Sequence, residues 1–147
     1  MGLHSKFSGP STSPGFLLWQ ATQSWQRKLG KALAEFDLTH VQFVLLTSCK
    51  YMIVHGETVT QKKLASFSQT NIMMVSEVVR TLEKKGFIQR SKNPQDKREV
   101  LLSITETGEE KVTAALPIVE EIDQAFFSAA MKEENFLNGL RELLKNE

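Results

Sequence analysis

Apolar and polar positions along this chain change rhythm, and each change predicts an element. From Phe16 the apolar residues return every three or four positions (Phe16, Leu17, Trp19, Leu29, Ala32, Leu33, Phe36). That period places them along one side of a long helix. Asp37-Leu38-Thr39 interrupts it, and Thr39 has the hydroxyl that caps a helix start. A second helix is predicted over residues 40 to about 54, with Val41, Phe43, Val44, Leu45, Leu46 and Ile53 as its apolar set and His55-Gly56 as its stop. Thr60 caps a short third helix to about residue 67, with Leu64 and Ala65 facing inward. A polar turn, residues 68–71, then leads into a longer helix ended by Gly86, on which Ile72, Val75, Val79 and Leu82 form one apolar stripe. A short helix, a polar turn and a longer helix make a helix-turn-helix.

After Gly86 the period drops from 3.6 to 2. Residues 87–90 and 99–104 read as paired strands, joined by the polar loop Ser91-Lys92-Asn93-Pro94-Gln95-Asp96-Lys97-Arg98. Helical spacing resumes after Thr105 and runs to about residue 130 through Leu116, Val119, Ile122 and Phe126, with Pro117 expected to kink it. A last helix is predicted from residue 133, carrying Phe136, Leu137, Leu140, Leu143 and Leu144. The expected fold class is mostly α with a small β-hairpin (α+β): a winged helix-turn-helix flanked by N- and C-terminal helices. The expected divisions are a disordered tail at 1–14, scaffold and dimerisation helices at 15–56, the winged module at 57–105, and dimerisation helices at 106–147.

Charge alters this picture more than composition does. The net charge is +1 over 147 residues, but it is unevenly spread. Residues 60–98 hold nine basic side chains (Lys62, Lys63, Arg80, Lys84, Lys85, Arg90, Lys92, Lys97, Arg98) against three acidic ones (Glu77, Glu83, Asp96), whereas residues 99–147 hold four basic and eleven acidic. A concentrated basic segment in a balanced chain is the footprint of a polyanion-binding face. No stretch approaches the roughly 20 apolar residues of a membrane span, and residues 1–15 lack the apolar core of a secretory leader. The expectation is a cytoplasmic protein with no membrane partner. Cys49 is the single cysteine and His4, His40 and His55 are scattered, so neither a disulfide nor a metal site is expected. No nucleophile–base grouping or phosphate-binding glycine loop suggests an enzyme or a cofactor.

The wording of residues 64–108 resembles the MarR family of bacterial transcription regulators. The matching segments are Leu64-Ala65, residues 75–87 (VSEVVRTLEKKGF), residues 90–98 (RSKNPQDKR) and residues 102–108 (LSITETG). Leu82-Glu83 with Lys85-Gly86 meets the family's helix ending. Asn93, Pro94, Asp96 and Arg98 meet its wing motif, and Ile104-Thr105 with Gly108 meets its closing motif. The flanking helices extend the resemblance over about residues 16–146. One departure stands out: Ile72-Met73-Met74 occupies the start of the second helix, where many members carry small hydroxyl residues or Pro.

The resemblance implies a homodimer on double-stranded DNA, meeting a roughly palindromic operator. Entry of the second helix into the major groove would bring Ser68, Thr70, Asn71, Met73, Met74, Ser76 and Arg80 to base edges. Asn71 serves equally well as a helix cap, and Met73 and Met74 offer apolar contact to thymine methyls. In the wing, Arg98 is the implied minor-groove residue and Asp96 its orienting partner, while Arg90, Lys92 and Lys97 are candidate phosphate contacts. Thr60, Gln61 and Lys62 would add phosphate contacts from the preceding helix. Family members often respond to small aromatic acids or oxidants. Phe16, Trp19, Trp25 and Phe43 are candidate lining residues for such a ligand, although aromatics at helical spacing also build cores. The competing expectation is a winged-helix module whose basic face docks an acidic protein.

Overall fold

The computed structural model describes residues 2–145. A single 3-10 turn, Pro10–Thr12, lies within the stretch expected to be a disordered tail. Helix α1 (Pro14–Leu33) follows, its first turn capped by the Ser13 hydroxyl, which accepts from Phe16 N. Asp37, in the left-handed conformation at φ 58°, turns the chain toward α2 (His40–Val54). There the Thr39 hydroxyl accepts from Gln42 N and the Gln42 side chain accepts in return from Thr39 N, a reciprocal pair that satisfies two otherwise orphaned donors.

Two further helices follow β1 (Val59–Thr60): α3 (Gln61–Ser68) and α4 (Ile72–Lys84). Val75, Val79 and Leu82 are fully buried as the stripe requires. Ile72 does not share their fate: it is 46% exposed, because the first turn of α4 projects past the core and overhangs a cleft beside the wing. The core gathers Leu29 and Leu33 of α1, Leu45, Leu46 and Cys49 of α2, Leu64 of α3, the α4 stripe, and Ile88 and Leu102 of the sheet.

The sheet has three strands rather than the two of a bare hairpin. β2 (Ile88–Asn93) and β3 (Asp96–Ile104) pair antiparallel, and β1 adds to the other edge of β3 through Val59 opposite Leu102 and Thr60 opposite Leu101. The segment expected as a loop is therefore mostly strand, and the turn shrinks to Pro94-Gln95.

Helix α5 (Glu106–Phe127) runs through Pro117 as one element, capped by Thr105. It packs along α1, and the Trp25 indole N–H donates to Asp123 Oδ1 at 2.7 Å while the Trp25 ring meets His40 edge-on. Burial pushes the His40 imidazole below its ordinary pKa, with the Asp123 carboxylate opposing. After the turn Ala130–Lys132, helix α6 (Phe136–Leu144) starts three residues later than the spacing suggested and buries none of its residues. Among the described residues no helix is long and apolar enough to cross a membrane.

Candidate nucleic-acid interface

Helices α3 and α4 and the wing form one face, and the local sequence explains each joint. The Asn71 side chain accepts from Met73 N at 2.8 Å and so starts α4. Ser68 donates to Leu64 O at 2.7 Å and its hydroxyl oxygen lies 2.9 Å from Thr70 Oγ1, which closes the turn between the helices. At the far end of α4, Gly86 adopts φ 82°, a left-handed cap that costs a side-chain-bearing residue about 1–2 kcal/mol. Lys85 reaches back to the α1–α2 connection, donating to Asp37 O at 2.7 Å and to Gln42 Oε1 at 2.9 Å.

Glu83 clamps the wing to this helix. Its carboxylate accepts from Arg90 N at 3.0 Å and from Arg90 Nε at 3.0 Å, and the backbone bond is the main reason its pKa lies below the ordinary 4.5. Arg90, expected as a phosphate contact, is thus engaged within the protein, since the guanidinium fork matches a carboxylate at hydrogen-bond distance. At the wing tip Asn93 Oδ1 accepts from Gln95 N at 3.0 Å and holds the turn. Asp96 Oδ1 accepts from both Arg98 N (3.1 Å) and Arg98 Nε (3.2 Å). The Arg98 side chain remains 91% exposed. One carboxylate thereby fixes the base of the side chain and leaves its outer nitrogens free, and an exposed pair of this kind adds little to stability.

A cleft of ≈ 680 Å³ between the start of α3 and the wing brings together Gln61, Lys62, Ala65, Ile72 and Arg98. The Gln61 Oε1 atom is buried there without a hydrogen-bond partner among the described residues. Thr60 lines the same cleft but is 5% exposed, and its hydroxyl accepts from Lys63 N at 3.0 Å. Its expected role as a phosphate contact gives way to helix capping. Met73 and Met74 are exposed at 73% and 48%, Arg80 is exposed and Ser76 half-buried. Lys62, Arg80, Lys84, Lys92 and Lys97 form no ion pair among the described residues.

Two side chains on this face stand outside the contacts expected from the sequence. Glu77 and Lys84 are both exposed on α4, and their spacing of four and eleven residues from Met73 was the available signal. The aromatic candidates divide differently. Phe16 and Trp19 are exposed on α1, but Phe43 is 6% exposed within the core. Trp25 is committed to Asp123 and His40. Cys49 is fully buried and its thiol is pushed up to about 12 by burial, which removes the thiolate that an oxidant would attack.

A helix-turn-helix whose second helix is followed by a basic hairpin is a winged helix. The MarR family profile matches residues 38–100. Over its whole length the chain is 90% identical to the uncharacterized HTH-type transcriptional regulator YdcH of Bacillus subtilis (strain 168), covering 100% of both. Among solved structures it is similar to the Staphylococcus aureus MepR–DNA complex, with TM-score 0.82 and 26% identity over 92% of this chain and 98% of that one. A second is a mutant of Escherichia coli MarR complexed with operator DNA, with TM-score 0.73 and 25% identity over 90% and 91% of the two chains. The chain belongs to the MarR family; it is a DNA-binding transcriptional regulator and not an enzyme.

Proposed function

We propose that this regulator is a cytoplasmic homodimeric repressor that occupies a roughly palindromic operator and leaves it when a small aromatic ligand binds. The observation that carries the DNA part is Arg98, held at its base by Asp96 and otherwise exposed at the wing tip. A narrow minor groove concentrates negative potential and attracts such a guanidinium. Met73, Met74, Ser76 and Arg80, with Ser68, Thr70 and Asn71 at the preceding turn, face the major groove in this reading. Lys62, Lys92 and Lys97 contact phosphates, with Gln61 beside them.

Support for the dimer comes from what the terminal helices leave uncovered. Leu17 and Leu18 of α1, Ile118 of α5 and Leu137, Leu140 and Leu143 of α6 are all exposed large apolar side chains, a combined surface of the kind that marks an interface. A two-fold dimer presents two recognition helices to a two-fold operator. Residues 15–56 and 106–147 take the dimerisation role and 57–105 the DNA-reading role. For the ligand, the support is an apolar hollow of ≈ 410 Å³ lined by Leu17, Leu18, Thr22, Trp25, Phe126 and Phe127. An oxidative release through Cys49 has no support, given its burial.

Selection of bound fragments from genomic DNA, followed by anisotropy titration at several salt concentrations, tests the proposal. Several phosphate contacts require affinity to fall steeply with salt, by orders of magnitude between about 50 and 200 mM. A flat salt dependence would instead favour docking on an acidic protein.

A further inference from the structure

The outward ridge of α4 has an unusual composition for a DNA-facing surface. With 3.6 residues per turn, Met73 lies opposite the buried Val75–Val79–Leu82 stripe, and Glu77, Arg80 and Lys84 follow it along the same ridge. Met73 and Glu77 are one turn apart, a rise of about 6 Å, which is less than two base-pair steps. Met73 is 73% exposed, and Glu77 forms no ion pair among the described residues. Both side chains are ill-suited to positioning the protein on the duplex. A thioether has no donor for a phosphate, and a carboxylate is repelled by one.

Base edges supply the complements that phosphates do not. In the major groove the only apolar group is the C5 methyl of thymine, and the N4 amine of cytosine is a donor suited to an acidic side chain. We infer that Met73 and Glu77 are the specificity-determining pair of this protein, reading a thymine methyl and a cytosine amine within two base pairs of each half-site. The assignment rests on the DNA-reading role proposed above. It also explains why an acidic group stands on an otherwise basic ridge: Glu77 lowers attraction to DNA in general and restores it only where a cytosine amine meets the carboxylate.

The test uses the full chain and a duplex fragment selected from genomic DNA. Each thymine is replaced in turn by deoxyuridine, which removes only the methyl group. At one thymine per half-site the affinity should fall about fourfold, the factor for one buried methyl, and Met73→Ala should abolish that sensitivity. Glu77→Gln should raise affinity for random duplex and narrow the ratio of selected to random binding at least about fivefold. Selected-fragment binding that is indifferent to every uracil and has an unchanged ratio in Glu77→Gln overturns the pair while leaving DNA recognition standing. Failure to select any fragment overturns both.

Discussion

The winged module and the terminal helices are built to different degrees of closure. Between β1 and the end of β3 nearly every joint is internally satisfied: Thr60 caps α3, Asn71 caps α4, Glu83 holds Arg90 and Asp96 holds Arg98. The large apolar residues of α3 and α4 that face inward, Leu64, Val75, Val79 and Leu82, are fully buried. Helix α6 shows the opposite state, with no residue buried and Leu143 and Leu144 more than half exposed. The first turns of α1 expose Phe16, Leu17, Leu18 and Trp19 in the same way. A single chain therefore completes the DNA-reading half but leaves apolar surface at its two ends that only further burial would stabilise.

The largest effect should come from removing α6. If the terminal helices form the proposed dimer, deleting residues 136–147 should leave monomers, measured by light scattering, while the winged module keeps its cooperative melt. Dimers that persist would show that α1 and α5 suffice. Next in size is Gly108→Ala. A Cβ at Gly108 would stand 2.1 Å from Phe87 O, and the displacement it forces should cost at least ~2 kcal/mol in a denaturant titration. A neutral result would mean that the root of the wing yields readily. Arg98→Ala should weaken operator binding by about 1 kcal/mol or more without changing the oligomer, which separates the two halves functionally. An unchanged anisotropy midpoint would argue against the wing assignment.

The smallest effect concerns pH. Glu83 has its folded pKa below 4.5 because Arg90 stabilises the carboxylate, so its contribution is full above about 4.5 and is lost as pH falls through the depressed value. The wing should therefore loosen first at acid pH, read as amide exchange in β2 before exchange in α1 rises. Glu83→Gln should remove that ordering.

Much of the architecture was legible because apolar period and caps coincide. Val75, Val79 and Leu82 announced the inner side of α4, and Thr39, Thr60 and Thr105 announced three helix starts that the side-chain bonds realise. The misreadings have physical causes. Ser91, Lys92 and Asn93, and Asp96, Lys97 and Arg98 opposite them, form strand without an apolar alternation because this part of the hairpin faces solvent, so period 2 has nothing to mark. β1 is only two residues long, too short for any period. Ile72 continues the stripe in sequence but sits beyond the last element that could cover it, and Phe43, a ligand candidate only through the resemblance, sits in the core where its helical spacing in α2 puts it. The engagement of Arg90 by Glu83 is a tertiary pairing across the α4–β2 turn that composition cannot reveal.

Gly108 matters beyond its effect on stability. With no space between it and the Phe87 carbonyl, and with Thr105 N donating to that same oxygen at 3.1 Å, the start of α5 and the foot of the hairpin move as one lever. Its long arm is a 22-residue helix, about 33 Å from end to end. A small rotation at the far end of that arm would be carried to the foot of the hairpin and displace the wing tip, while the module keeps its own internal bonds.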